Sequence, residues 1–241
     1  ADWRFGYKQT ISAIESVKEK NQIIAFTNYY THPYIYVLFY TKYDPHTFQQ
    51  DQNKDKIGDY VFFGENWKKI DVLVNCAGVA LGRTSMHEGD PADWDKMIDI
   101  NLKGMLYVFR AVSPFMIARG SGHIINIGSI TGKETYPKGS VYSITKHAVI
   151  AMTKSMRMDL IEYGVKVSMV NPGRVATNLA LVRYKGDKDK AKGDYEGFAP
   201  LEASDVADAI YFIASRPEHV NIHDIVITPA AQAGANYIYK Q

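Results

Sequence analysis

Short apolar runs alternate with amphipathic stretches from residue 70 to the end of the chain, and this alternation limits the possible folds more than any other feature. Runs rich in Val and Ile predict strands at Ile70–Val74, His123–Ile127, Val165–Val170 and Asp224–Thr228. Strands with so few polar residues are typical of a parallel sheet that is covered on both faces.

Segments with helical spacing of apolar residues lie between these strands. Met105–Met116 and Val149–Leu160 carry apolar side chains three and four residues apart, and Gly164 is placed to cap the second helix. A third such segment, Val206–Ile213, follows Ser204, which we predict to be its N-cap. Strand and helix in continuous alternation predict an α/β fold with a doubly wound, Rossmann-like parallel sheet.

Composition narrows the class of protein further. A chain of 241 residues, 46% hydrophobic and 22% charged, is globular, and we predict one domain over residues 1–241. The 28 basic and 26 acidic residues form no basic block, which argues against nucleic acid as a partner. No apolar run approaches the roughly 18 residues of a membrane span, so no membrane partner is predicted.

Compartment and metal content are also predicted from composition. The chain starts without the apolar core of a signal peptide. The single cysteine, Cys76, cannot form an intramolecular disulfide, which fits a reducing, cytoplasmic setting. The 7 histidines lack the spacing of metal ligands, so we predict no metal site.

Polar and glycine residues follow the predicted strands, where open α/β sheets bind ligands. Asn75–Gly78, Gly128-Ser129 and Asn171–Gly173 each come directly after an apolar run. Between the last two, a predicted helix carries Tyr142 and Lys146 four residues apart, so both side chains share one face.

This pair predicts proton-transfer chemistry. An ammonium within about 4–6 Å of a phenol favours the phenolate, so Tyr142 could exchange a proton with an alcohol or carbonyl. The Ser129 hydroxyl could bind the same oxygen. The spacing alone is weak, because Tyr184 and Lys188 repeat it in a charged loop. Without Ser129 thirteen residues upstream, a surface tyrosine beside a solvated lysine would be the better interpretation.

Five motifs in order, from about Asn66 onward, resemble the short-chain dehydrogenase/reductase family. They are Asn75-Cys76-Ala77-Gly78, with Cys76 in place of the family's second asparagine, Asp99-Ile100-Asn101, Ser129, Tyr142 with Lys146, and Asn171-Pro172-Gly173-Arg174-Val175-Ala176-Thr177.

The resemblance implies a catalytic role for four residues. Tyr142 is the general acid/base, Lys146 favours its phenolate and holds the nicotinamide ribose, Ser129 orients the substrate carbonyl, and Asn101 holds a water in a proton relay. It also implies NADP(H) as cofactor, with NAD(H) as the alternative, bound by Asn75, Ala77, Gly78, Tyr142, Lys146, Pro172, Gly173, Val175 and Thr177. As alternatives, Gly78 and Gly173 could be turn glycines, Thr177 a helix cap and Asn101 a polar helix residue.

Three further segments resemble the NADP-dependent serine/3-hydroxy acid dehydrogenase branch: Val79–Gly82, Val182–Asp187 and Pro217–Ile222. The second of them falls where the family has its mobile substrate loop. We therefore predict that Ser129, Tyr142 and Arg183 bind the substrate, with Arg183 facing a carboxylate. Lys185 is expected to be a solvated loop charge.

Residues 1–65 match the family poorly. The glycine-rich phosphate turn is missing, with Gly6 the nearest candidate for a cofactor-binding residue of that turn. Ile23–Thr27 is predicted to be the second strand, but no basic residue for a 2′-phosphate follows it, and Tyr34–Phe39 comes too early for the third strand. Three explanations stay open: a divergent half that has lost cofactor binding, a truncated or rearranged chain, and an incorrect sequence over this stretch.

The third explanation is favoured by composition, because residues 1–70 hold 16 of the 30 aromatic residues but 3 of the 18 glycines. The prediction of NADP rather than NAD as the cofactor therefore depends only on the resemblance to the serine/3-hydroxy acid dehydrogenase branch.

The predicted function is hydride transfer between NADP(H) and a small 3-hydroxy acid such as serine or 3-hydroxyisobutyrate. One alternative is a reductase of 3-oxoacyl thioesters or other carbonyl compounds, and another is a non-catalytic binding protein with the same fold. The resemblance further implies a homotetramer or homodimer formed through the long helices that start near Asn101 and Tyr142.

Overall fold

The computed structural model describes residues 70–241, together with the backbone of four earlier strands. Among the described residues, eight strands occur: β1 (Ile24–Asn28), β2 (Tyr36–Phe39), β3 (Lys54–Ile57), β4 (Tyr60–Phe63), β5 (Val72–Asn75), β6 (Gly122–Ile127), β7 (Val165–Pro172) and β8 (Asp224–Ile227). Six of them form one sheet in the order β2-β1-β5-β6-β7-β8, and β3 pairs with β4 separately. All neighbours in the large sheet run parallel except β2, which runs antiparallel to β1.

Helices connect the parallel strands as the apolar spacing predicts. They are α1 (Pro91–Ile98), α2 (Gly104–Arg119), α3 (Ser140–Leu160), α4 (Leu179–Arg183), α5 (Lys188–Gly193) and α6 (Ala203–Ala214). A π-helical turn, Asp99–Lys103, joins α1 to α2, and short 3-10 turns occupy Met86–Glu88, Ile130–Gly132 and Ile161–Tyr163. In the described part of the chain, no helix has both the length and the apolarity needed to cross a bilayer.

The ends of two helices test the capping predictions. After α3 and the 3-10 turn that continues it, Gly164 has the left-handed φ of 68° and ends the segment, as predicted. The prediction for α6 was wrong, because the helix begins before Ser204. Glu202 is its N-cap, and the Asp205 carboxylate accepts the Glu202 N–H at 2.7 Å in a capping box.

Alternate residues of the strands face opposite sides of the sheet, and each side has its own core. Leu73 and Ile124 pack with α2 and α3 on one face, whereas Val74 and Ile125 pack with α6 on the other. Burial of each such side chain contributes about 2 kcal/mol. Two covered faces and parallel strands confirm the doubly wound Rossmann-like fold.

The place of the Ile23–Thr27 strand differs from the prediction. β1 occupies Ile24–Asn28, so the strand itself is correct, but it pairs directly with β5 in the register Ile24↔Val72. In the usual strand order 3-2-1-4, the first strand lies beside the fourth, and the second strand lies one position further out. Here β5 corresponds to the fourth strand, so β1 occupies the place of the first strand and not that of the second. Gly6 and the predicted phosphate turn lie outside the described residues.

Candidate active site

A cleft lies at the carboxyl ends of β6 and β7, and two of the predicted catalytic residues, Ser129 and Tyr142, line it. Ser129 and Tyr142 share its wall with Arg183 and Gly173. Ser129 lies two residues after the end of β6, while Tyr142 lies in the first turn of α3. The parallel sheet therefore brings together residues that are thirteen positions apart in the chain.

Ser129 is held by hydrogen bonds on both its backbone and its side chain. Its Oγ accepts the Thr131 N–H at 3.2 Å and the Thr131 hydroxyl at 3.0 Å, so it caps the short 3-10 turn. Its N–H donates to Asn171 Oδ1 at 3.1 Å, at the end of β7. The hydroxyl therefore reaches the cleft from a fixed backbone position.

The support of Ser129 extends to the sheet edge. Asn171 Nδ2 donates to Asp224 Oδ1 at 2.7 Å, and Lys133 forms an ion pair of 2.7 Å with Asp224 Oδ2. Lys133 directly follows the 3-10 turn that Ser129 caps. The network thus links β7, β8 and the Ser129 turn.

Tyr142 and Lys146 lie one helical turn apart on the inner side of α3. Their exposed fractions are 9% and 6%. Lys146 Nζ lies 6.0 Å from the centroid of the Tyr142 ring and donates to the Ile127 carbonyl at 3.0 Å, at the end of β6. The ammonium therefore lies between the strand end and the phenol, in a largely desolvated position.

Asn101 lies in the π-helical turn, a type of distortion that occurs often at functional sites. Both Nδ2 hydrogens are used within the chain, donating to the Val79 carbonyl at 2.9 Å and to the Thr145 hydroxyl at 3.0 Å, while Oδ1 accepts the Val79 N–H at 2.8 Å and keeps a second lone pair. These bonds fasten the loop after β5 to α3. The implied water-holding role of Asn101 stays a prediction.

The loop after β5 presents polar groups that fit part of a dinucleotide. A Cβ built on Gly78 would lie 3.5 Å from both Asn101 Oδ1 and Lys146 Nζ, so both polar atoms lie close to this backbone. Asn75 Oδ1 is buried and has no hydrogen-bond partner among the described residues. Ala77 is half-buried beside them. The spare donors of the Lys146 ammonium and the unpaired amide oxygen of Asn75 fit the polar groups of a cofactor.

The loop after β7 supplies the other predicted cofactor contacts. Gly173 and Val175 line the cleft, and Pro172 is buried at the end of β7. A Cβ on Gly173 would lie 2.3 Å from Gln232 Oε1, which accepts the Arg174 N–H at 2.8 Å. A larger residue there would therefore have to displace the Gln232 side chain. Thr177 is exposed and its hydroxyl accepts the Leu179 N–H at 3.3 Å, but the N-cap of α4 is the next residue, Asn178, so both roles of Thr177 stay predictions.

The two cations of the predicted substrate loop have different surroundings. Arg183 is 8% exposed and its Cζ lies 5.0 Å from the centroid of the Tyr142 ring, so it faces the cleft. Lys185 is exposed and forms ion pairs with Asp93 at 2.8 Å and Asp90 at 3.8 Å. Its position outside the cleft agrees with the expectation of a surface charge.

Sequence reasoning missed a charged cluster beside the cleft. Asp194 lines the cleft and forms ion pairs with Arg83 Nη1 and Arg174 Nη1, each at 3.0 Å. The Tyr184 hydroxyl donates to the same carboxylate at 3.2 Å. Burial by itself would lower the pKa of Arg83, but the Tyr184 phenol and Asp194 raise it. A sequence signal for this cluster was the position of Arg174, which directly follows Pro172-Gly173 at the end of a predicted strand.

Two tyrosines that line the cleft keep their protons. Burial raises the pKa of Tyr136, although the nearby Arg183 opposes that shift. Burial also raises the pKa of Tyr195, whose hydroxyl donates to the Val175 carbonyl at 3.0 Å. Both phenols therefore act as neutral walls of the cleft. In the part of the chain described here, no group of three His, Cys, Asp or Glu residues could hold a metal ion.

A doubly wound parallel sheet with Ser, Tyr and Lys side chains gathered at its carboxyl ends defines a Rossmann-like α/β oxidoreductase. The family model for short chain dehydrogenase matches residues 48–187, more than half of the chain. The chain belongs to the short-chain dehydrogenase family, and the resemblance inferred from its motifs is confirmed.

Two curated relatives carry the same name. The NADP-dependent 3-hydroxy acid dehydrogenase YdfG of Salmonella typhi is 44% identical over 170 residues, which cover 70% of this chain and 68% of that protein. The protein of that name from Escherichia coli strain K12 is 38% identical over 209 residues, 78% of this chain and 84% of the relative.

Solved structures agree in fold. The closed form of serine dehydrogenase complexed with NADP+ is 41% identical, with a TM-score of 0.69 over 74% of this chain and 73% of that chain. A 3-oxoacyl-[acyl-carrier protein] reductase from Brucella melitensis is 28% identical, with a TM-score of 0.54 over 66% of this chain and 61% of that chain.

Proposed function

We propose that this chain transfers a hydride between NADP(H) and a small 3-hydroxy acid, with serine and 3-hydroxyisobutyrate as the substrates to test first. The names of its relatives support the cofactor and the substrate class. Support from the site comes from one observation above others: the buried Arg183 guanidinium lies over the Tyr142 ring in the cleft that Ser129 lines.

The position of Arg183 favours an acid over a neutral alcohol. A guanidinium in a largely desolvated place binds a carboxylate strongly, often through two parallel hydrogen bonds. The reacting hydroxyl must then lie near Tyr142 and Ser129. Because Arg183 lies beside Tyr142, the substrate's carboxylate and hydroxyl must be a short distance apart, as in a 3-hydroxy acid.

In the direction of reduction, the Tyr142 hydroxyl donates its proton to the carbonyl oxygen of the substrate as that oxygen gains negative charge. Ser129 donates a hydrogen bond to the same oxygen and stabilises that charge. In the direction of oxidation, the Tyr142 phenolate removes the alcohol proton. The positive charge of Lys146 stabilises the negative charge that develops on the Tyr142 oxygen during proton transfer. Asn101 supports a water through which the proton is replaced.

NADP(H), when bound, supplies or accepts the hydride at the substrate carbon. Lys146 would hold its nicotinamide ribose, and the Gly173–Val175 segment would border the nicotinamide. Pro172 and Thr177 would border the same half of the cofactor, and Asn75, Ala77 and Gly78 would border the adenosine. These assignments agree with the unpaired Asn75 Oδ1 and the donors of Lys146 that remain for a ligand.

We propose a homotetramer or homodimer in which α2 and α3 form an interface. Both helices pack on the same face of the sheet, and both carry exposed apolar side chains: Leu106 and Tyr107 on α2, and Ile144 and Met158 on α3. Clusters of exposed apolar residues mark association surfaces. Light scattering coupled to gel filtration measures the mass, and a mass of about one chain would contradict this proposal.

A 3-oxoacyl thioester reductase is the second candidate, because the Brucella melitensis reductase has the same fold. Such a thioester carries no carboxylate at the carbonyl group to face Arg183. The test measures NADP+ reduction with L-serine and 3-hydroxyisobutyrate, and NADPH oxidation with a 3-oxoacyl thioester. NADPH binding is followed separately by its fluorescence.

We expect activity with the hydroxy acids, and we expect Arg183→Leu to raise their KM at least tenfold. Activity with the thioester alone, insensitive to Arg183→Leu, would favour the second candidate. Absence of NADPH binding at tens of micromolar would contradict both.

A further inference from the structure

Arg174 and Arg183 line the cleft, and Arg83 is paired with Asp194, which also lines it. Arg83 follows β5, Arg174 follows β7, and Arg183 ends α4. Asp194 lies 3.0 Å from both Arg83 Nη1 and Arg174 Nη1, whereas Arg183 has no carboxylate within ion-pair distance among the described residues. One guanidinium is therefore left for a ligand.

Asp194 forms ion pairs with the other two arginines, Arg83 and Arg174. Its side chain is 7% exposed, accepts hydrogen bonds from Arg83 and from the Tyr184 hydroxyl, and forms an ion pair with Arg174. A carboxylate so buried is stable only with such partners. Because Asp194 also lines the cleft, its negative charge faces whatever binds there.

We propose that Asp194 is a specificity-determining residue that restricts the substrate to monocarboxylates. It takes the place that a second substrate carboxylate would need at Arg83 and Arg174, because both guanidiniums are already paired with it. An internal group that occupies the place of a wrong ligand is a common way to exclude that ligand. This inference rests on the proposed function, because it assumes that Arg183 binds the single carboxylate of a 3-hydroxy acid.

The test compares two substrates that differ by one carboxylate, 3-hydroxybutanoate and 3-hydroxypentanedioate. The variant Asp194→Asn keeps the size and one acceptor oxygen but removes the charge. We expect the wild type to prefer the monocarboxylate by at least 100-fold in kcat/KM, and Asp194→Asn to reduce that preference at least tenfold. The matched control is Asp189→Asn, an exposed carboxylate on α5, which should keep the wild-type preference.

A second variant covers the case in which Asp194→Asn fails to fold. Arg83→Gln leaves Asp194 with less positive charge around it, so the preference for the monocarboxylate should rise above that of the wild type. Ligand binding is also measured without turnover, as the rise in melting temperature with 3-hydroxypentanedioate. That rise should be larger for Asp194→Asn than for the wild type.

The outcomes separate the two proposals. A wild type inactive with L-serine, 3-hydroxyisobutyrate and 3-hydroxybutanoate would overturn the proposed function, and this inference with it. A wild type that oxidises the monocarboxylate, with a preference unchanged by Asp194→Asn or by Arg83→Gln, would overturn the inference alone. Equal wild-type activity on both substrates would also overturn the inference alone.

Discussion

The chain contains the same tyrosine–lysine spacing twice, and the two copies have different surroundings. Tyr142 and Lys146 lie on adjacent turns of one long helix, α3, and both are buried beside the cleft. Tyr184 follows the last residue of α4, and Lys188 begins the separate helix α5. A spacing of four residues therefore places two side chains on one face only where the helix is continuous.

The break between α4 and α5 has a visible cause. Lys185 and Gly186 have φ values of 51° and 96°, which reverse the chain between Tyr184 and Lys188. The Tyr184 hydroxyl is then taken up by Asp194 and Arg83, at 3.2 Å each. The first copy has a reactive position in a cleft, and the second has a structural contact.

The largest expected effect tests the first tyrosine. Tyr142→Phe removes the hydroxyl that gives and takes the proton, so kcat should fall about 1,000-fold, equivalent to about 4 kcal/mol in the barrier. Steady-state kinetics with the best hydroxy acid measures this. Thermal melting should change little, since the ring and its packing remain. A variant with more than a tenth of the wild-type kcat would remove Tyr142 from the chemistry.

A smaller loss is expected when the first lysine is changed. Lys146→Met keeps the stem of the side chain but removes the ammonium that stabilises negative charge on the Tyr142 oxygen during proton transfer, so kcat/KM should fall about 100-fold. Lys188→Met, in the second copy, is the matched control and should keep the wild-type rate and pH profile. Equal losses in both variants would remove the distinction between the copies.

The fold was largely predictable because buried strands and helices need a regular pattern of apolar residues in the sequence. The apolar runs from Ile70 onward each became a strand of the sheet, and the polar residues after them reached one edge, since parallel strands end there together. The pattern of strands and helices was therefore enough to predict that Ser129 and Tyr142 lie together. Prediction was weakest for β1, whose partner strand depends on long-range pairing that no local pattern specifies.

The charged cluster around Asp194 could not be predicted in the same way. Its members come from three loops, and ion pairs between distant loops leave no periodic pattern. The capping error at α6 has a local cause: Glu202 and Asp205 form a reciprocal pair, which Ser204 between them does not indicate. Sequence thus predicted the groups on continuous elements better than the contacts between loops.

Activities of the variants can be compared at acid pH only while the protein stays folded. His123 lowers the stability of the fold in acid. His123 is buried in β6, and burial lowers its pKa from 6.5 to about 3. The unfolded chain therefore binds this proton below pH 6.5 while the folded chain stays neutral. The stability that His123 contributes is complete above pH 6.5 and is lost as the pH falls toward 3, by about 2 kcal/mol at pH 5.

His123→Gln should reduce this loss, and urea unfolding at pH 7 and pH 5 measures it. The difference in unfolding free energy between the two pH values should be about 2 kcal/mol smaller in the variant. His219→Gln, at an exposed position, should behave as the wild type. If this difference is unchanged in His123→Gln, a group other than His123 causes the loss of stability in acid.

The smallest expected effect concerns the second tyrosine. Tyr184→Phe removes one hydroxyl that donates to Asp194 and accepts from Arg83, both of which keep their own ion pair at 3.0 Å. The loss should therefore be about 1 kcal/mol in unfolding free energy, and less than about fivefold in kcat/KM. Urea unfolding and steady-state kinetics, run beside Tyr142→Phe, give the contrast directly. A fall in kcat as deep as that of Tyr142→Phe would mean that the second tyrosine also takes part in proton transfer, because the loss of one loop contact cannot raise the barrier so far.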